Sequence, residues 1–272
     1  MSEALVQRWD GFLKSITDRF QQVMQESREG CAQLLADSDF DTIPMGNAWS
    51  AMERRAKELG WKIDETWTSQ VEPKFEEAGV PRGLMDQQRA KGNALRDWIE
   101  LEIERVRIEI YVSAFHAIAQ RDAEERASNG PVGCTQCGAP LVVPHSFRAL
   151  NVTCTHCRTV NSYEPGSRVR MGEASCSHSL CQQTAWNQFV AMNQAEQAYR
   201  RARPSTIQHI QAWEAAQIAY HRVYLTKRLE LMPEQAAAFE KDLRGRMEHF
   251  YVYSIQNELA WIQAGRPRAP LI

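Results

Sequence analysis

Apolar residues recur at intervals of three and four through most of this chain, the period of helices that bury one face. In residues 3–36, Leu5, Trp9, Phe12, Ile16, Phe20 and Val23 share a face and predict one long helix. The stretch Asp37–Pro44, Asp-Ser-Asp-Phe-Asp-Thr-Ile-Pro, reads as a turn. A second stripe of Met45, Trp49, Met52, Ala56, Leu59, Ile63, Trp67 and Val71 predicts another helix, ended by Pro73, Gly79 and Pro81. Their short connection makes the two antiparallel neighbours.

Residues 84–127 carry two stripes. Leu95, Ile99, Ile103, Val106, Ile110, Ala114 and Ala117 form one; Trp98, Leu101, Ile108, Val112 and Phe115 form the other. Part of this stretch also alternates with period two, as a strand would. No turn residue interrupts Leu95–Ala127 and the composition favours helix, so a long, largely buried helix is expected. Further helices are expected over 180–202, from a Ser205/Gln208 capping box to about Leu231, and from Pro233 to about Ala264, with Arg203-Pro204 as a break and the last eight residues as a tail. The fold class is therefore mainly α: a long-helix bundle or coiled-coil hairpins with a small β insert. Residues 1–128 and 173–272 form two helical halves around a module at 129–172.

That module is set apart by its cysteines. Cys134-Thr-Gln-Cys137, sixteen residues beginning with Gly138, then Cys154-Thr-His-Cys157 give C-x2-C-x16-C-x2-C. Each C-x2-C turn brings two thiolates to one ion, and two such turns complete the four-cysteine set of structural zinc. Gly138 provides the backbone freedom that a knuckle needs after its second ligand. Between the pairs, Pro140–Pro144 and Ala149–Thr153 read as short strands around a Ser146–Arg148 turn. The segment resembles bacterial rubredoxin-like zinc ribbons over about 40 of the 272 residues. That resemblance implies metal-binding roles for Cys134, Cys137, Cys154 and Cys157, with one structural zinc and, less favoured, iron. The second knuckle departs from many such ribbons in carrying Arg158 in place of glycine.

Charge changes the picture by segment. The 272 residues contain 32 Lys and Arg against 34 Asp and Glu, yet residues 1–128 carry 17 against 24. The module at 129–172 has Arg148, Arg158, Arg168 and Arg170 against Glu164 alone. These arginines are a candidate basic contact surface, with Phe147 and Tyr163 available to stack on bases. A second, weaker cluster is Cys176-Ser-His178-Ser-Leu-Cys181. On a helix Cys176 and Cys181 lie about 140° apart and do not chelate together, whereas His178 and Cys181 converge. Cys31 reads as a buried helical residue and His156 as an exposed member of the second knuckle.

No phosphate-binding glycine loop, His-Glu-x-x-His or Gly-x-Ser-x-Gly occurs in the sequence. Residues 100–109 alternate Glu and Arg as a salt-bridged face, and the eight tryptophans follow the helical stripes as core residues. The leading expectation is a zinc-binding, non-enzymatic interaction or scaffold protein with protein partners, and with long helices that leave room for self-association. One alternative is a nucleic-acid- or RNA-polymerase-binding regulator. It draws on a loose similarity to regulators that pair an acidic-tipped helical hairpin, here Asp37, Asp39 and Asp41, with a four-cysteine finger placed elsewhere along the chain. A second alternative is an enzyme or redox protein with an unrecognised site. The N-terminal ten residues lack a signal-peptide layout and no apolar run is long enough to span a bilayer, so a reducing cytoplasm is expected.

Overall fold

The computed structural model describes residues 2–143, 148–202 and 206–255. The chain is mainly α, with two short strands, and divides into two compact units, residues 1–176 and 177–272.

In the first unit, α1 (Ser2–Asp37), α2 (Thr42–Thr66) and α4 (Arg82–Asn129) each pack against the other two. The side-chain contacts give their directions. Trp9 near the start of α1 meets Trp67 just beyond the end of α2, while Cys31 late in α1 reaches the carbonyl of Met45 early in α2. These two helices are antiparallel. Along α1 and α4 the contacts advance together: Trp9 with Gln88, Phe20 with Trp98, Arg28 with Glu109. The bundle therefore runs up, down, up. Its core includes Trp9, Phe20, Met24, Trp49, Ile63, Ile99 and Ile103. Residues 101–112 are helical, and both stripes are buried there: Ile103, Val106 and Ile110 on one, Ile108 and Val112 on the other. Glu102, Glu104, Glu109, Arg105 and Arg107 form ion pairs along the same helix.

The connection between α1 and α2 is shorter than the turn expected over 37–44. Phe40 N–H bonds to Leu35 O and Asp39 N–H to Ala36 O, closing α1 with left-handed backbone at Asp39 and Phe40 (φ 52° and 63°). Asp41 then caps α2 by accepting from Ile43 N–H at 2.9 Å. Pro44 falls in the first turn, where helical N–H groups have no intrahelical acceptor, and so does not delay the helix.

Pro73 does not end the second helix either. A π-helical turn, Trp67–Val71, carries the chain into α3 (Glu72–Glu77), with Pro73 in its first turn. Glu72 N–H reaches Trp67 O, and the hydroxyls of Thr68 and Ser69 bond the carbonyls of Asp64 and Glu65. The extra width keeps Trp67, Val71 and Phe75 on the inner side despite the proline. Gly79, at φ 64°, provides the stop that closes α3.

The helix expected from 180 begins earlier: α5 covers Ser167–Thr184 and α6 Trp186–Arg201. The first half of α5 packs on α4 so closely that a Cβ on Gly172 would lie 2.8 Å from Ile118 Cδ1. Thr42 and Ser175 share a hydroxyl hydrogen bond of 3.0 Å, and Arg168 bonds Glu125 Oε1 at 2.8 Å and the Asp39 carbonyl at 2.9 Å.

In the second unit α7 (Ile207–Leu231) packs against α6 and against α8 (Phe239–Tyr253), which follows a 3-10 turn at Pro233–Ala238. Trp213, Tyr220, Leu225, Leu243, Met247 and Phe250 are its core. The capping box forms one residue later than expected, with Thr206 as cap and His209 Nδ1 accepting from Thr206 N–H at 3.2 Å. Ser205, the Arg203-Pro204 break, the end of the last helix near Ala264 and the tail lie outside the described residues. The tryptophans divide: Trp9, Trp49, Trp67 and Trp213 are buried, but Trp61 is 63% exposed.

Half-buried His221 on α7 has a covered, unpartnered Nδ1, and partial burial together with the Arg246 charge holds its pKa down to about 4. The unfolded residue takes a proton near pH 6.5. Stability from the neutral ring is thus fully present above that pH and is lost as pH falls towards 4, on the order of 1–2 kcal/mol. Thermal melts at pH 7.5 and 5 should differ more for the native chain than for His221→Gln; equal differences would refute this.

Candidate metal centre

The two knuckles repeat one backbone design at an offset of twenty residues. In the first, Gly138 N–H bonds to Cys134 O at 2.9 Å and Cys134 N–H to Ala139 O at 2.7 Å. In the second, Arg158 N–H bonds to Cys154 O at 3.0 Å and Cys154 N–H to Thr159 O at 2.9 Å. Both turns require left-handed backbone after the second cysteine, at Gly138 (φ 72°) and Arg158 (φ 63°). Arg158 thus occupies the glycine conformation that its position demands, at a cost of about 1 kcal/mol. Arg158→Gly is expected to leave metal affinity unchanged or to raise it in a chelator competition. Weaker binding would show that the Arg158 side chain supports the site.

The strands differ from the expected arrangement. β1 (Leu150–Thr153) pairs antiparallel with β2 (Val160–Tyr163), so the hairpin encloses the second knuckle and does not lie between the two knuckles. Residues 140–143 form no strand; a single bridge joins Gly133 to Pro140, and Leu141 N–H bonds Val132 O at 2.8 Å. Pro140 has no N–H to offer a ladder. Pro144, the Ser146–Arg148 turn up to Phe147, and Phe147 itself lie outside the described residues. Leu141 and Val152 form a small core with Cys134 and Cys154.

The Sγ atoms of Cys134, Cys137, Cys154 and Cys157 all lie within 4.8 Å of one another. Cys134 and Cys157 are 3.6 Å apart, Cys137 and Cys154 3.7 Å. Four sulfurs about 2.3 Å from a common tetrahedral ion would be separated by about 3.8 Å, so the cluster could hold a metal ion. Cys134 and Cys154 are buried, Cys137 and Cys157 exposed.

The backbone polarises these sulfurs. The N–H of Cys137, with that of Gln136, the Cys157 thiol and the Asn161 amide, brings the Cys134 thiol down to about 6. The Thr159 hydroxyl and N–H lower Cys157. Cys137 feels a lowering pull from the Ala139 N–H, yet hydrogen bonding with Cys157, burial, Cys154 and Cys134 push it up to about 12. A cluster that ionises some thiols and leaves a proton on another is one in which a cation can replace that proton.

Asn161 has no place in the cysteine spacing, yet it ties the site together. It is 4% exposed on β2, and its Oδ1 accepts from Thr135 N–H and Thr135 Oγ1, both at 2.9 Å. Its Nδ2 donates to Thr159 O at 3.0 Å and to Cys134 Sγ at 3.6 Å. One side chain from the second knuckle's hairpin thus holds the first knuckle in place, the supporting role that orients metal ligands. The only sequence signal for it is an asparagine at an inward strand position, next to the exposed Val160.

The remaining candidates do not join this site. Arg168 is engaged by Asp39 and Glu125, Arg148 pairs with Glu173 at 3.7 Å and Arg170 with Glu164 at 4.0 Å. Arg158 is exposed. Asp37 accepts from Gln33 and Asp41 caps α2, so the acidic tip is engaged within its own unit. Cys176 and Cys181 are buried, and burial pushes their pKa values up to about 12 and about 11. His178 is exposed and shares a 2.6 Å hydrogen bond with Tyr224 Oη. Among the described residues, neither these three nor Cys31 belongs to a group of three or more metal-ligating side chains. Cys31 is buried as expected and His156 exposed. No described helix is long and apolar enough to cross a membrane. Comparison with known protein families, curated proteins and solved structures gives no match for this chain.

Proposed function

We propose that Cys134, Cys137, Cys154 and Cys157 hold one zinc ion in a structural role, and that the protein is a non-enzymatic scaffold whose ribbon docks a protein partner. The observation that carries this reading is the four-sulfur set. It fills a tetrahedral shell and leaves no position for the water or substrate that zinc catalysis needs. Iron in the same shell is the less favoured occupant, and its visible absorption in purified protein would turn the reading towards redox chemistry.

The ribbon surface favours protein over nucleic acid as partner. Three of its four arginines are paired with carboxylates of their own unit, which weakens their hold on phosphate. Val142, Val160 and Val132 are 84%, 59% and 44% exposed. Affinity capture with the native chain should retain proteins that a Val142→Asp, Val160→Asp variant with intact metal content does not retain. Identical captures would contradict the docking role. Tight, salt-sensitive binding to DNA or RNA, lost on Arg148→Ala and Arg158→Ala, would favour the regulator reading instead.

A further inference from the structure

We propose that a pocket beside the π-helical turn, at the end of the first unit remote from the α1–α2 connection, binds a small arylalkyl carboxylate. Its volume is about 200 Å³. Half-buried Phe12, Leu5 and Val71 form its apolar wall over Trp9 and Phe75, which are almost wholly covered, and Trp9 stacks on Phe12 at 5.4 Å. Arg8, Lys62 and Lys74 stand around the opening, and no carboxylate lines it.

Three features set this opening apart from an ordinary solvated surface. First, the three cations have no ion pair among the described residues, although other lysines of the unit do: Lys14 with Asp18, Lys57 with Glu53, Lys91 with Asp10. Second, residues 1–128 carry 17 basic and 24 acidic side chains, so three unpaired cations around one opening run against the local charge. Third, the wall supplied by Gln70 and Val71 comes from the π-helical turn, an irregularity often found where helices form binding sites.

The occupant follows from size and chemistry. The volume equals about seven waters' share of liquid and falls below that of pockets for drug-sized ligands. One ring on a short acidic chain fits it. The ring packs on the half-buried Phe12, Leu5 and Val71, and the carboxylate receives the Arg8 fork with the point charges of Lys62 and Lys74. By contrast, a larger groove of about 530 Å³ lined by Arg28, Ala32 and Ala114 has its cation already paired with Glu109.

The test is calorimetric titration of the full chain with phenylacetate, its neutral isostere phenylacetamide, and acetate. Saturable phenylacetate binding is expected at about 0.1–1 mM. Both analogues should bind about tenfold more weakly or worse. Lys62→Gln with Lys74→Gln should weaken phenylacetate about tenfold or more without altering thermal stability, since both lysines are exposed. Lys14→Gln should change nothing, and about 0.5 M salt should weaken binding. No saturation by about 10 mM phenylacetate, equal binding of phenylacetamide, or indifference to the lysine changes would overturn the proposal. Binding of an acidic peptide in its place, or dimerisation lost with the lysine pair, would assign the pocket to a protein occupant and likewise overturn it.

Discussion

Cys154→Ser is expected to abolish metal binding and unfold the ribbon while the helical circular dichroism persists. Cys154 is 1% exposed, its sulfur lies against that of Cys137, and its backbone closes the second knuckle through Thr159 and Arg158. Serine removes a thiolate and places a hydroxyl among apolar neighbours, Val152 and Leu141. The ribbon core is too small to fold without help, so the metal's binding free energy is its folding free energy. The α1–α2–α4 bundle has its own core and does not need it. Bound zinc should drop from about one to about zero per chain, with ribbon amide signals collapsing in NMR spectra. A ribbon that stayed ordered would show that its hydrogen bonds suffice alone.

The second large effect belongs to the bundle. Trp9→Ala should destabilise the first unit by about 3–5 kcal/mol. Trp9 is 2% exposed, donates its indole N–H to Gln88 O at 3.0 Å, and sits so close to Gly92 that a Cβ there would lie 2.9 Å from its ring. Alanine leaves a cavity among Phe12, Trp67 and Ile63 and removes the indole's bond to the Gln88 carbonyl, which keeps its helical partner. The melting temperature should fall by about 10 °C in a scan. A fall of only one or two degrees would mean that α1 and α4 close over the gap.

What is legible in the sequence is what repeats. Stripes of apolar residues locate the long helices, including 101–112. There, alternation mimics a strand because α4 buries Ile103 and Ile108 on different sides. The four thiols are legible from spacing alone, and the departure at Arg158 from the resemblance to zinc ribbons. Apart from the exposed Trp61, the differences in the helical regions turn on where a helix starts or stops. A proline suggests an end, but Pro44 stands in a first turn, where a missing N–H costs nothing, and at Pro73 the π-helical turn carries the chain on. Glycine is the reliable stop, as at Gly79. The early start of α5 is hidden because Arg168 and Gly172 follow no stripe; contacts distant in sequence, to Glu125 and Ile118, place them. Asn161 is hidden for the same reason, since its partner Thr135 lies 26 residues away.

The metal content of the purified full chain decides whether the four thiols hold structural zinc. About one zinc per chain is expected, colourless, released by chelator together with ribbon order and absent from Cys154→Ser. A metal-free chain whose ribbon amides remain ordered, or one holding iron with strong visible absorption, would contradict it.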